Sequence, residues 1–254
     1  MNEFKKSKRS RNLFDPDSEI PFKVSRSKID LYVECPLCFY LDRRIGIGRP
    51  PGFPFTLNSA VDRLLKKEFD IYRKQEKPHP IMKEYGIDAI PADHEKLDDW
   101  RNSLRGVRFL HKLTNFIIFG AIDDLWQNSE GELIVVDYKS TSINEKITSL
   151  DKEWHEGYKR QMEIYQWLIR QNDYKVSDTG YFLYCNGNTN RERFDARLEF
   201  DLTIIPHVGN DSWVEDLVFE ARKCLSESTP PQPSSDCEYC AYRQASSEYN
   251  ISNI

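Results

Sequence analysis

No run of about 18 apolar residues occurs in the 254-residue chain, which excludes a transmembrane helix and, with it, a membrane partner. The first dozen residues lack the apolar core of a secretory leader, so the protein is expected to stay inside the cell, in the cytoplasm. A Walker A sequence is missing, which leaves no sign of an ATPase or helicase of its own, and there is no nucleophile elbow. Five histidines (His79, His94, His111, His155, His207) show no metal-ligand spacing and read as surface or loop residues. Positive charge is not in excess either. With 36 basic and 41 acidic residues the net charge is −5, which neither favours nor excludes nucleic acid, because phosphate binding depends on local basic patches.

What is present fits a globular protein: 39% hydrophobic and 30% charged residues, in a chain long enough for one large domain or two small ones. The basic run Lys5, Lys6, Lys8, Arg9 and Arg11 predicts a flexible, solvated arm over residues 1–24, followed by a single domain over 25–254. Apolar spacing predicts helices over Ser25–Arg44, Thr56–Arg73, Trp154–Gln171 and Ser212–Leu225. Lys77–Asp99, rich in proline and charge, predicts loops and short turns, and Ser226–Ser235 a linker. Strands are expected at Phe116–Ile122, Leu133–Val136, Gly180–Tyr184 and Arg193–Leu202. Strands followed and flanked by helices predict an α/β fold, one sheet layered with helices.

The first two strands are joined by the turn-forming Gln127–Gly131 and should pair as an antiparallel hairpin. Asp123 ends the first, while Asp137 and Lys139 end the second. Side chains alternate along a strand, so Asp137 and Lys139 share a face that Tyr138 does not, and a turn centred near Glu130 places Asp123 opposite Asp137. Two converging carboxylates bind a proton or a cation. A hard cation such as Mg²⁺ or Mn²⁺ suits them, polarises a phosphoryl oxygen and lowers the pKa of bound water. An edge salt bridge between Asp137 and Lys139 is the alternative, and the hairpin alone leaves both open. Asp124 should face away from the Asp123 side.

Gly120-Ala121-Ile122-Asp123, followed by Val136-Asp137-Tyr138-Lys139-Ser140-Thr141, resembles motifs II and III of the PD-(D/E)XK nuclease superfamily. Downstream, Gln161-Met162-Glu163-Ile164-Tyr165 is similar to the QxxxY motif of its RecB-like branch, which includes CRISPR-associated and helicase-linked repair nucleases. The resemblance covers roughly Ser25 to Arg243. It implies a restriction-endonuclease-like core, a mixed central β-sheet flanked by helices. It also implies metal held by Asp123, Asp137 and the Tyr138 carbonyl, with Lys139 assisting the nucleophile and Gln161 and Tyr165 beside the site. DNA, single-stranded or with free ends, is the implied substrate, and a helicase or CRISPR adaptation protein the implied partner. Relatives usually carry a histidine ligand where this chain has Asp62, a sound Mg²⁺ ligand or else a helix-surface acid paired with Lys66. That departure leaves two readings: a metal-dependent deoxyribonuclease, or a nuclease-fold binding subunit with little or no cleavage.

Cys35-Pro36-Leu37-Cys38 and Cys237-Glu238-Tyr239-Cys240 form two CxxC units near opposite ends of the chain. Four thiolates suit tetrahedral Zn²⁺ or an iron–sulfur cluster. Cys-Pro followed by Phe39-Tyr40 resembles the first cluster cysteine of RecB-like iron–sulfur nucleases, which implies a 4Fe–4S cluster with zinc as the alternative. Those relatives carry a further cysteine near the place of Ser246. Here Cys38 replaces it, with Cys224 in reserve, and Cys185 reads as a strand-core residue. The site should staple the C-terminal tail to the first helix.

Overall fold

A computed structural model describes residues 8–52 and 56–248. In chain order the elements are β1 (Phe22–Ser25), α1 (Arg26–Glu34), α2 (Pro36–Tyr40), a π-turn (Leu41–Ile45), α3 (Thr56–Lys74), α4 (Pro80–Glu84), β2 (Ala89–Pro91), α5 (Leu97–Trp100), β3 (Val107–His111) and β4 (Phe116–Gly120). They continue with β5 (Asp124–Asn128), β6 (Leu133–Thr141), a 3₁₀ turn (Glu153–His155), α6 (Glu156–Arg170), β7 (Thr179–Gly187), β8 (Phe200–Val208), α7 (Val214–Ser226) and α8 (Glu238–Glu248). Two compact units partition the chain, one over residues 1–52, 110–118 and 213–254, the other over 53–109 and 119–212. Two of the four boundaries fall inside β3 and β4.

The second unit is built on a five-stranded mixed sheet in the order β2-β5-β6-β7-β8. β5 and β6 form an antiparallel hairpin, β6 and β7 run parallel, and β7 and β8 are antiparallel. A parallel pair needs a crossover, and α6 supplies it. Helix α3 packs against β6 and β2 through Leu65 and Phe69, one turn apart on the same face, which meet Trp126, Ile134, Val136 and Tyr138 in the core. Alternation along β6 turns Asp137 and Lys139 away from that core, toward α6. The mixed sheet flanked by helices is the fold class the sequence implied.

β1 joins β4 and β3 in a three-stranded sheet. Phe14, Phe22 and Phe116 make an edge-on aromatic cluster with ring centroids 5.3–5.9 Å apart. Helices α1 and α2 pack on α7, whose Val218, Ala221 and Leu225 are fully buried.

Several expectations need correcting. Phe116–Ile122 is not the hairpin partner of β6. It ends as β4 at Gly120 in the three-stranded sheet, and the hairpin strand begins afresh at Asp124. The expected helix over Ser25–Arg44 is broken at Cys35, whose extended backbone caps α2 ahead of Pro36. Arg193–Glu199 is not strand, since β8 starts at Phe200. Asp195 and Ala196 have positive φ, and Phe194 is exposed. Of the histidines expected at the surface or in loops, three are buried, and of these His79 does lie in a loop. His79 caps α4, His111 bonds Thr114, and His155 accepts from the Lys152 backbone N–H. Of the expected arm, Lys5 and Lys6 lie outside the described residues. From Lys8 on the chain is tied down: the Arg9 N–H donates to the Gly46 carbonyl at 2.9 Å and Phe14 is buried.

Candidate active site and cysteine metal site

The carboxylates that the sequence singled out gather on the α6 side of β6 and at the start of β5. Asp124 pairs with Val136, so the register continues to set Asp123 opposite Asp137. Asp123 lies in the link between β4 and β5. Its Oδ2 accepts from the Tyr138 backbone N–H at 2.9 Å, and the Arg101 guanidinium donates to its carbonyl at 3.1 Å. Asp137 is fully buried. Its Oδ1 accepts from Gln161 Nε2 at 2.6 Å, and its other oxygen pairs with Lys139. Lys139 Nζ also donates to Gln161 Oε1 at 3.3 Å and sits 4.3 Å from the centre of the Tyr158 ring. Asp137, Lys139 and Gln161 therefore form one closed hydrogen-bonded triangle. Tyr165, one turn beyond Gln161, is buried on α6.

Asp62 reaches the cluster through Lys66, whose ammonium lies 2.7 Å from Asp62 and 3.4 Å from Asp123. Burial, together with the charge of Asp123, raises the Asp62 carboxyl above its ordinary range despite Lys66. Three carboxylates face two lysines, so the cluster carries one negative charge in excess. Its donors are hard oxygens, the chemistry that Mg²⁺ or Mn²⁺ takes. The three carboxylates do not converge as closely as the thiols described below. Among the described residues, the four cysteines are the group of three or more candidate ligands whose donor atoms all lie within 4.8 Å of one another.

Asp124 points elsewhere. Fully buried, it accepts from Arg101 at 2.7 Å, from Tyr138 Oη at 2.6 Å and from Arg73, so it is the anchor of a structural ion network. Burial and Asp124 hold the Tyr138 phenol well above its usual value. Sequence reasoning missed Arg101 and the Tyr158 ring as neighbours of the site. Neither spacing nor pattern marked them, because Arg101 comes from the end of a one-turn helix and Tyr158 looks like any core aromatic.

In the first unit Cys35, Cys38, Cys237 and Cys240 meet. Sγ–Sγ distances are 3.8 Å for Cys35–Cys240, 3.6 Å for Cys38–Cys237 and 3.7 Å for Cys38–Cys240. The extended Cys35 lets its sulfur accept from the Cys38 N–H at 3.5 Å. Burial raises the Cys35 thiol, but the Cys38 N–H, a contact to Ser234 and the neighbouring thiols outweigh it and leave it at about 7. The Arg49 guanidinium donates to Cys237 Sγ at 3.6 Å and to Glu34 at 2.5 Å, and lies over the Tyr239 ring. Cys224, the reserve ligand, stays outside the group, its thiol pushed up to about 11 by burial. Cys185 is core, and burial takes its thiol to about 12.

The family model of the PD-(D/E)XK nuclease superfamily matches residues 55–245, three quarters of the chain. The chain belongs to the PD-(D/E)XK nuclease superfamily. No curated protein matches it. As a member of that superfamily it has a nuclease fold, in a group whose members are in general hydrolytic nucleases. No helix among the described residues is long and apolar enough to cross a membrane.

Proposed function

We propose that the protein is a metal-dependent deoxyribonuclease whose active centre is formed by Asp62, Asp123, Asp137 and Lys139. The observation that carries this is the Asp137–Lys139–Gln161 triangle, set opposite Asp123 at the head of a β-hairpin in a PD-(D/E)XK chain. Asp62, Asp123, Asp137 and the Tyr138 carbonyl would hold Mg²⁺ or Mn²⁺. When bound, the ion supplies a Lewis acid and an acidified water for phosphodiester hydrolysis. Lys139, held over Tyr158 and bonded to Gln161, would orient that water or neutralise charge building on the phosphate. Gln161 keeps the ammonium and the Asp137 carboxylate in fixed register, and Tyr165 supports α6 from within.

Single-stranded or end-bearing DNA as substrate, and a helicase or CRISPR adaptation protein as partner, are what the likeness of Gln161–Tyr165 to the RecB-like motif implies. A second reading, a binding subunit with little or no cleavage, has one observation in its favour: the Lys66 ammonium already stands between Asp62 and Asp123, where a cation would bind.

Labelled single-stranded and duplex DNA, incubated with Mg²⁺, Mn²⁺ or EDTA, separates the two readings. The nuclease reading expects cleavage that EDTA abolishes and that Asp137→Asn or Lys139→Ala lowers about 10²–10⁴-fold, with DNA binding kept. Cleavage that survives either substitution unchanged sinks the site; DNA binding without metal-dependent cleavage selects the second reading.

A further inference from the structure

Resemblance implies that the two CxxC units hold a 4Fe–4S cluster, with zinc as the alternative. The geometry of the thiols disagrees with the cluster. A single ion with metal–sulfur bonds of about 2.3 Å in tetrahedral array sets its four sulfurs about 3.8 Å apart. The separations in the structure are 3.6, 3.7 and 3.8 Å, and every donor pair lies within 4.8 Å. A cubane inserts its own iron and sulfide atoms between the thiolates and spreads them well beyond that span. A disulfide bond needs sulfurs about 2.05 Å apart, so these are unbonded thiols gathered around a space that fits one ion.

We infer that Cys35, Cys38, Cys237 and Cys240 bind one zinc ion as a closed, four-thiolate structural site, with Arg49 as the cation that offsets its charge. All four cysteines are buried and each contributes one sulfur, so no coordination position is left open for water or substrate, as a structural rather than a catalytic zinc requires. Zinc with four thiolates carries a net charge of −2. The Arg49 guanidinium is already bonded to Cys237 Sγ, and the Cys38 N–H already points at Cys35 Sγ, the outer contacts that such a centre recruits. Binding forms four zinc–sulfur bonds and releases the thiol protons to water, with no oxidant, reductant or sulfide consumed. The place where iron–sulfur relatives keep a further cysteine is taken by Ser246, whose hydroxyl donates to the carbonyl of Arg243 one turn back on α8. Ser246 is therefore a helix-surface residue and not a ligand.

The test reads metal, not cleavage, so it stands or falls apart from the nuclease reading. The full-length protein is purified without oxygen from cells supplied with iron and sulfur, then analysed for zinc, iron and acid-labile sulfide. About one zinc per chain, with no sulfide and no broad visible absorption, is expected. Replacement by Co²⁺ should give the visible bands of a tetrahedral cobalt thiolate. Iron with sulfide and a broad absorption that bleaches on reduction overturns the inference, as does iron without sulfide or a metal-free chain. In competition with a chromogenic chelator, Arg49→Gln, which removes no ligand, should weaken zinc retention about 10–100-fold. Unchanged retention would overturn the role given to Arg49.

Discussion

Asp123 and Asp124 follow one another in sequence but have different partners: the first accepts a backbone N–H and faces Lys66, the second is sealed among Arg73, Arg101 and Tyr138. Substitution should separate stability from activity. Asp124→Asn leaves two buried guanidinium groups short of a counter-charge and should cost about 3–5 kcal/mol in denaturant unfolding. Asp123→Asn keeps an oxygen for the Tyr138 N–H and relieves repulsion on Asp62, so its stability should stay within about 1 kcal/mol of the parent. Metal-dependent cleavage should instead be lost in Asp123→Asn. Equal destabilisation by both substitutions would contradict the division of roles. Strand alternation was enough to place Asp137 and Lys139 on one face. It could not supply Lys66 as a bridge between two acids, because that contact is set by how α3 lies on the sheet.

At the scale of elements, the link from β4 to β5 decides where Asp123 sits. Gly106 lies against it with φ +61°, and a Cβ there would stand 2.5 Å from the Gly120 carbonyl oxygen, a backbone atom that cannot swing aside. The Ile122 N–H is fixed to the Trp100 carbonyl at 3.1 Å. Gly106→Ala should therefore lower stability by about 1–3 kcal/mol and displace the link. A thermal melt reads the first effect and the cleavage rate the second, and a melt unchanged from the parent would refute the close approach. This break was hidden in the sequence. Phe116–Ile122 is apolar throughout, and a continuous apolar run carries no mark of where one sheet hands over to another. In Arg193–Glu199 the error ran the other way. Alternating apolar residues suggested strand, yet the segment is charged and exposed and turns through two positive φ values. By contrast α3, α6 and α7 were legible because each buries one periodic face against its neighbours.

Over the whole molecule, the first unit is assembled from three separate stretches of chain, an arrangement that no local pattern announces. The paired CxxC spacing did announce that the two ends could share a metal. Cys35 and Cys240 are 205 residues apart. A cross-link across a loop of that length restricts the unfolded chain by about 5 kcal/mol. Its loss should fall unevenly, because the four ligands all belong to α1, α2 and α8 or their caps, while the five-stranded sheet belongs to the other unit. Stripping the metal with a strong chelator should speed amide hydrogen exchange in α1, α2 and α8 while the amides of β5, β6 and β7 keep their protection. Thermal unfolding should then resolve into two steps, with the lower one restored by added Zn²⁺. A single transition that moves as a whole, with exchange rising evenly in both units, would mean that the thiol site stabilises the entire chain and not the unit that carries it.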